Sequence, residues 1–368
     1  MSTAMDRSTG EAIATFLDRG YCTIEDGLSG ARLHRVRTDF FDHFEAKRRR
    51  SRIRPAGPPE QGEHSFHGSH GKGGNHGYNR WNALLPSTST FLADDVVANP
   101  RVLGVLEGIR RHLGDHRRWV LTLIGSDVNL PDSSDQPPHR DGRSFVVTVN
   151  CPLIDVGPEN GPLEVWPGTH RPPGAPFGLQ DMAISKEEWA ELRRGPSRRF
   201  AVPAGTFIIR DQRMLHRGTA NGSDQVRPML SLYYSLMGSD DVVAHRSLLD
   251  IGSGTARALR RAGQRLPLAG SIQRHVLLAD GEALGLAMIY LAGSDRRGHL
   301  RIPRPIWESL SEPARQLLRF ASVDRVVTEA YRKHRSAGRT KEACAVLARS
   351  LVRVTRRLIT PPTVPTSS

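Results

Sequence analysis

The chain has 368 residues, 38% of them hydrophobic, a mean hydropathy of −0.42 and three cysteines. That length holds a substantial core, in one large domain or two ordinary ones. No apolar run approaches the roughly 20 residues that span a bilayer. The opening Met1-Ser-Thr-Ala-Met-Asp-Arg7 lacks a signal-peptide core, and Cys22, Cys151 and Cys344 are far apart, so no disulfide framework and a reducing, cytoplasmic setting are expected. The formal charge of +14 is uneven, because residues 301–368 carry 14 Lys or Arg against 5 Asp or Glu. Such a tail suits nucleic acid or an acidic partner, yet no nucleic-acid motif accompanies it.

In chain order, residues 1–45 read as a helix, a strand at Tyr21–Glu25 and a helix through Arg32–Phe44. Glu45 to Gly62, with Lys47-Arg-Arg-Arg50 and Pro58-Pro59, reads as a solvated connection into a glycine-rich lid at about 58–80. The lid carries His64, His67, His70 and His76 among glycines, where no helix would align the rings; a second metal there stays an open alternative. Asn75, Tyr78, Arg80 and Trp81 at its exit are candidate substrate contacts, since they bring polar and aromatic groups to a hinged loop.

Phe91–Leu113 has helical periodicity. Short β-rich runs follow at Trp119–Ile124, Phe145–Asn150, Leu163–Trp166, Arg199–Val202, Thr206–Arg210 and Pro228–Leu236, separated by Gly/Pro turns. Ser185–Arg193 reads as a helical insertion. The pattern predicts a mainly β protein with flanking helices and a jelly-roll core over residues 1–240. Residues 241–368 read as an irregular, then helical, basic extension. Its last helix aligns Leu347, Leu351, Val354 and Leu358 on one apolar stripe, which needs the core or a second subunit as partner, so a homodimer through these helices is one expectation.

Chemistry concentrates in His139-Arg140-Asp141, His216 and Arg227. On a strand, residues two apart point the same way, so His139 and Asp141 would aim at one point. Two imidazoles and one carboxylate on one face suit Fe(II) and leave the opposite coordination positions open. Arg227, with its planar fork of donors, is the natural partner for the far carboxylate of a dicarboxylate co-substrate. No Gly-x-Ser-x-Gly elbow, phosphate-binding glycine loop or Cys-x-x-Cys pair competes with this reading.

Gln136-Pro-Pro-His-Arg-Asp141, Asn160-Gly-Pro-Leu-Glu-Val-Trp-Pro-Gly-Thr-His-Arg171, and Leu215-His216 with Arg227 eleven residues later resemble the phytanoyl-CoA dioxygenase family of Fe(II)/2-oxoglutarate oxygenases. The resemblance runs from about residue 10 to about 240. It implies a double-stranded β-helix core, with His139, Asp141 and His216 as iron ligands and Arg227 on the 2-oxoglutarate C5 carboxylate. It also implies O2 as co-substrate and oxidation of a small molecule, by hydroxylation or desaturation, as 2-oxoglutarate becomes succinate. Secondary metabolism is the expected setting. Family members often carry a hydroxyl residue two positions after the distal His, where this chain has Gly218. Asp141 is present, whereas related halogenases have a small residue in its place. Arg143, two residues past Asp141, and Trp166 are further candidate substrate contacts, and His170 reads as structural. The rival expectation is a catalytically inactive dioxygenase fold whose basic C-terminal helices bind nucleic acid or an acidic partner.

Overall fold

The computed structural model describes residues 2–50, 79–141, 145–170, 190–192, 194–238, 301–319 and 322–323. The His64–His76 stretch, Asn75, Tyr78, Arg143, most of the Ser185–Arg193 insertion and the last-helix stripe at Leu347–Leu358 lie outside these residues.

Alternating side chains and Gly/Pro punctuation produce short antiparallel strands. The larger sheet has six: β1 (Tyr21–Ile24), β2 (Arg80–Leu84), β3 (Arg118–Asn129), β4 (Val146–Pro152), β7 (Phe207–Asp211) and β9 (Arg227–Met237), ordered β1-β7-β4-β9-β3-β2 with every pair antiparallel. A smaller sheet, β6-β5-β8, is made of β5 (Leu163–Val165), β6 (Arg198–Arg199) and β8 (His216–Gly218). Two facing antiparallel sheets flanked by helices are consistent with the jelly roll.

Period-two alternation gives the larger sheet two chemically different faces. Its outer face presents Ile124, Val128, Val147, Val149, Ile209, Leu230, Leu232 and Tyr234 to helices and forms the main core. α1 (Ser2–Arg19), α2 (Gly30–Arg50), α3 (Asp94–Val97) and α4 (Pro100–His112) supply the other layer. The helical periodicity over Phe91–Leu113 is divided between two helices, α3 and α4. Asn99 caps α4 by accepting from the amides of Arg101 and Val102, and Pro100 takes the first turn, where its missing N–H costs nothing. Val102, Val105, Leu106 and Ile109 then form its buried stripe.

Part of the C-terminal region joins this layer. β10 (Arg301–Ile302) pairs in parallel with β11 (Ser322–Val323), and between them lie α5 (Arg304–Ser309) and α6 (Glu312–Leu317). Ile302, Leu310, Ala314, Leu317 and Leu318 enter the main core, and Arg319 donates to the carbonyl of Trp119 at 2.9 Å. Among the described residues, no helix is long and apolar enough to cross a membrane.

The inner face meets the small sheet through Tyr21, Leu163, Val165, Phe200, Ile208, Met214 and Met229. Tyr21 and Phe200 pack edge to face with centroids 5.1 Å apart. Beyond that cluster the face carries buried polar groups, among them Asn150, Arg210, Arg227 and Ser231, and there the sequence-predicted ligands meet.

Candidate metal and co-substrate site

His139 and Asp141 do not sit on a regular strand, as the sequence pattern predicts; they occupy an extended segment laid beside β8. His139 exchanges both backbone hydrogen bonds with His216, at 3.0 Å each, and the Asp141 amide donates to Gln212 O at 3.0 Å. The expected common direction survives, because one antiparallel bridge is enough to set the i, i+2 alternation. His216 lies beyond the Phe207–Asp211 strand. The chain turns through Asp211–Leu215, with Asp211 Oδ1 accepting from the Arg213 amide, and crosses to the small sheet.

The result is a compact donor set. The ligand atoms of His139, Asp141 and His216 all lie within 4.8 Å of one another. His139 Nε2 is 3.5 Å and His216 Nε2 is 3.3 Å from the Asp141 carboxylate, and the ring centroids are 4.4 Å apart. Each Nδ1 faces a carbonyl: His139 donates to Pro137 O at 2.8 Å and His216 to Met214 O at 3.0 Å. Those bonds select the tautomer that leaves both Nε2 lone pairs turned toward Asp141, as metal-binding histidines require.

Burial and charge tune the same groups. Burial works against the charge of Asp141, but its surroundings, among them the Arg210 cation, outweigh it and hold the carboxyl well below the usual range. Burial first, and then the Arg210 cation, push His216 down to about 4, so its ring is neutral and able to bind metal at pH 7. Arg210 donates to Asp141 Oδ2 at 2.7 Å and to Asn150 Oδ1 at 3.0 Å, which fixes the carboxylate's orientation.

At the other end of the inner face lies Arg227. It is 2% exposed, and neither its Nε nor its NH1 has a hydrogen-bond partner. Burial lowers it to about 10, partly opposed by Asp127, so it remains a cation at pH 7. A buried guanidinium with open donors is what an anion site looks like before its anion arrives. The donor set therefore fits a divalent metal, and Arg227 fits a carboxylate.

The phytanoyl-CoA dioxygenase (PhyH) family model matches residues 16–229. The chain belongs to the phytanoyl-CoA dioxygenase family. Its His139, Asp141 and His216 form a group that could hold a metal ion. Solved structures similar to it include EvdMO1, at 18% identity and a TM-score of 0.44, covering 62% of this chain and 50% of that one. The chain thus spans about half the length of EvdMO1. Another is the epimerase SnoN in complex with Fe3+, alpha ketoglutarate and nogalamycin RO, at 18% identity and TM-score 0.45, covering 62% of this chain and 84% of that one. A third is AviO1 from Streptomyces viridochromogenes Tue57, at 19% identity and TM-score 0.42, covering 62% and 94%.

The expected substrate contacts separate on inspection. Trp81 faces outward into the main core, edge to face with Phe44 at 6.2 Å, so it packs rather than lines the inner face. Its neighbour Arg80 points inward but is buried, with Nε on Ser134 O at 2.7 Å, NH1 on Asn129 Oδ1 at 2.6 Å and NH2 on Thr219 O. That guanidinium braces the protein instead of waiting at a mouth for substrate. Burial, and then the charge of Arg227, lower it to about 9. It also fills the space beside Gly218, where a Cβ would run into it and into Gln136. Trp166 is 3% exposed under the Arg217 guanidinium, 5.9 Å above its ring, which is a packing role. His170 packs on Gly20 and its Nε2 faces Leu17 O at 3.3 Å.

Arg210, Asn150, Ser231 and Asp127 are functional groups that sequence reasoning missed. Asn150 Nδ2 donates to Ser231 Oγ at 2.8 Å, and Ser231 Oγ donates to Asp127 Oδ2 at 3.1 Å. Their signal was a polar residue inside an apolar strand, as in Phe207-Ile-Ile-Arg-Asp211 and Val146-Val-Thr-Val-Asn150.

Proposed function

We propose that this protein is an Fe(II)/2-oxoglutarate-dependent dioxygenase that hydroxylates or desaturates a small-molecule metabolite. His139, Asp141 and His216 would hold iron, and Arg227 would take the far carboxylate of 2-oxoglutarate. The observation that carries this reading is the pairing of a preset His-Asp-His donor cluster with a buried arginine whose donors are open on the same inner face.

When bound, iron, 2-oxoglutarate and O2 together supply the oxidising equivalent, with succinate and CO2 released. The chain's own residues position and shield. Pro137 O and Met214 O hold the two imidazoles in one tautomer, and Arg210 holds the Asp141 carboxylate. Leu123, Val146 and Tyr233 form a small apolar cluster on the inner face, apart from the main core. These side chains exclude water and give a substrate an apolar wall. The retained carboxylate at Asp141 leaves no space for a halide beside the imidazoles, which favours hydroxylation or desaturation.

The test is metal content and turnover. The metal-stripped wild type should take up about one Fe(II) per chain and form succinate only when iron and substrate are both supplied. His139→Ala and His216→Ala should each lose metal and turnover while remaining folded. Full succinate formation by either variant would refute the assignment.

A further inference from the structure

Strand register places Thr148 of β4 directly between Arg210 of β7 and Tyr233 of β9, and sets Tyr233 in turn opposite Leu123 of β3. Because Val147 and Val149 face the helical layer, Thr148 shares the inner face with Val146 and Asn150. It is 0% exposed, and its Oγ1 has no hydrogen-bond partner. The polar groups around it are engaged: Asn150 with Ser231 and Arg210, Ser231 with Asp127, and Arg210 with Asp141. A buried hydroxyl without a partner carries a desolvation cost that valine, of nearly the same shape, avoids, and valine stands at 146, 147 and 149 of the same strand. Thr148 therefore keeps a polar group that the folded chain itself does not use.

Two connections set this hydroxyl beside the donor cluster. Arg210, opposite Thr148, donates to Asp141 Oδ2 at 2.7 Å. The Gln212 amide donates to Val146 O at 3.0 Å while Gln212 O accepts from the Asp141 amide at 3.0 Å, so the apolar cluster of Leu123, Val146 and Tyr233 borders the same carboxylate residue. We propose that Thr148 selects the substrate: its hydroxyl bonds to an oxygen atom of a neutral, mainly apolar molecule that lies across Leu123, Val146 and Tyr233. This assigns a substrate class to the proposed oxygenase and depends on that reading of the site. A neutral oxygen fits better than a carboxylate or phosphate, because the cation opposite Thr148, Arg210, already pairs with Asp141 and leaves a second buried anion uncompensated. A wholly apolar molecule leaves the hydroxyl unpaired, and a site built to hydrogen-bond an oxygen rejects the analogue that lacks it. The bonded oxygen, a carbonyl, hydroxyl or ether, fixes which neighbouring carbon is turned toward the donor cluster.

The test is binding of three nearly isosteric probes, acetophenone, α-methylstyrene and benzoate, to Mn(II)-loaded protein with saturating 2-oxoglutarate and no O2, read by the Mn(II)-induced relaxation of the probe's protons. Calorimetry of 2-oxoglutarate binding to the same protein is the control. The wild type should bind acetophenone near the metal, about five- to tenfold more tightly than α-methylstyrene, as one added hydrogen bond gives, and more tightly than benzoate. Thr148→Val should erase the preference for acetophenone over α-methylstyrene, and Thr148→Ser, which keeps the hydroxyl, should retain it. Acetophenone that is not relaxed, equal binding of the two neutral probes by the wild type, or a preference that survives in Thr148→Val overturns the role of Thr148, and normal 2-oxoglutarate binding then leaves the underlying site standing. Tighter binding of benzoate overturns the neutral class. Absence of 2-oxoglutarate binding in metal-loaded wild type overturns the site itself. Should Thr148→Val fail to fold, Thr148→Ala takes its place with the same expected loss.

Discussion

Replacing Arg227 with methionine separates function from stability, because in the metal-free protein its charge is buried and its Nε and NH1 have no hydrogen-bond partner. Its lowering from the ordinary arginine value to about 10 corresponds to roughly 3 kcal/mol of cost in holding the charge in place, at about 1.4 kcal/mol per pH unit. Since the folded value lies below the unfolded one, that cost is fully present at neutral pH and lifts only as pH rises through about 10. Two nitrogens without partners add to the same side. Methionine is unbranched and adaptable, so Arg227→Met should leave the metal-free protein as stable as wild type, or more stable by about 1–3 kcal/mol. Binding should move the other way. Losing a buried, charge-assisted pair costs about 2–5 kcal/mol, or roughly 30-fold to several thousand-fold in 2-oxoglutarate affinity. Urea denaturation gives the first quantity and calorimetric titration of Mn(II)-loaded protein the second. A variant less stable by more than about 1 kcal/mol that binds 2-oxoglutarate normally would show Arg227 to be structural and refute the reasoning.

Acidification should destabilise the metal-free protein between about pH 6.5 and pH 4, because the unfolded chain protonates His216 first while the folded ring waits until about 4. The drop amounts to as much as about 3 kcal/mol, and chemical denaturation in the presence of a chelator should show it shrinking in His216→Gln. Gly218→Ser introduces the hydroxyl common in the family, yet here it should cost about 1–3 kcal/mol and weaken 2-oxoglutarate binding, since it displaces Arg80 and Gln136. Improved KM with unchanged Tm would contradict that. Gly205→Ala, at φ +84 with a Cβ driven into the Leu28 carbonyl, should cost about 2 kcal/mol or more in urea denaturation while leaving the KM of the folded fraction unaltered.

The candidate donor cluster was legible because each half carries its own short pattern: His139 and Asp141 are two residues apart, and His216 and Arg227 each begin a strand. The sheet was legible from alternation, most clearly in β9, where Leu230, Leu232 and Tyr234 face the helices and Arg227 and Ser231 face inward. The same rule, applied to β2, separates Trp81 from Arg80; grouping both with the glycine-rich lid concealed it. Asn99-Pro100 likewise marks the helix break that continuous periodicity over Phe91–Leu113 hides. The network from Asp127 to Asp141 was not legible, since its members come from β3, β9, β4, β7 and the extended segment, and only strand order brings them into contact.

The alternation of β9 makes it a natural handle for directed evolution. Residues 227, 229, 231, 233 and 235 form one register of the strand, while 230, 232, 234 and 236 belong to the other, which holds the helical layer. A library varied only at positions 233 and 235 would explore new substrate shapes while leaving the helical layer, the inter-sheet packing at Met229, Arg227 and Ser231 intact. Shifting the randomised set by a single position should instead yield mostly insoluble variants.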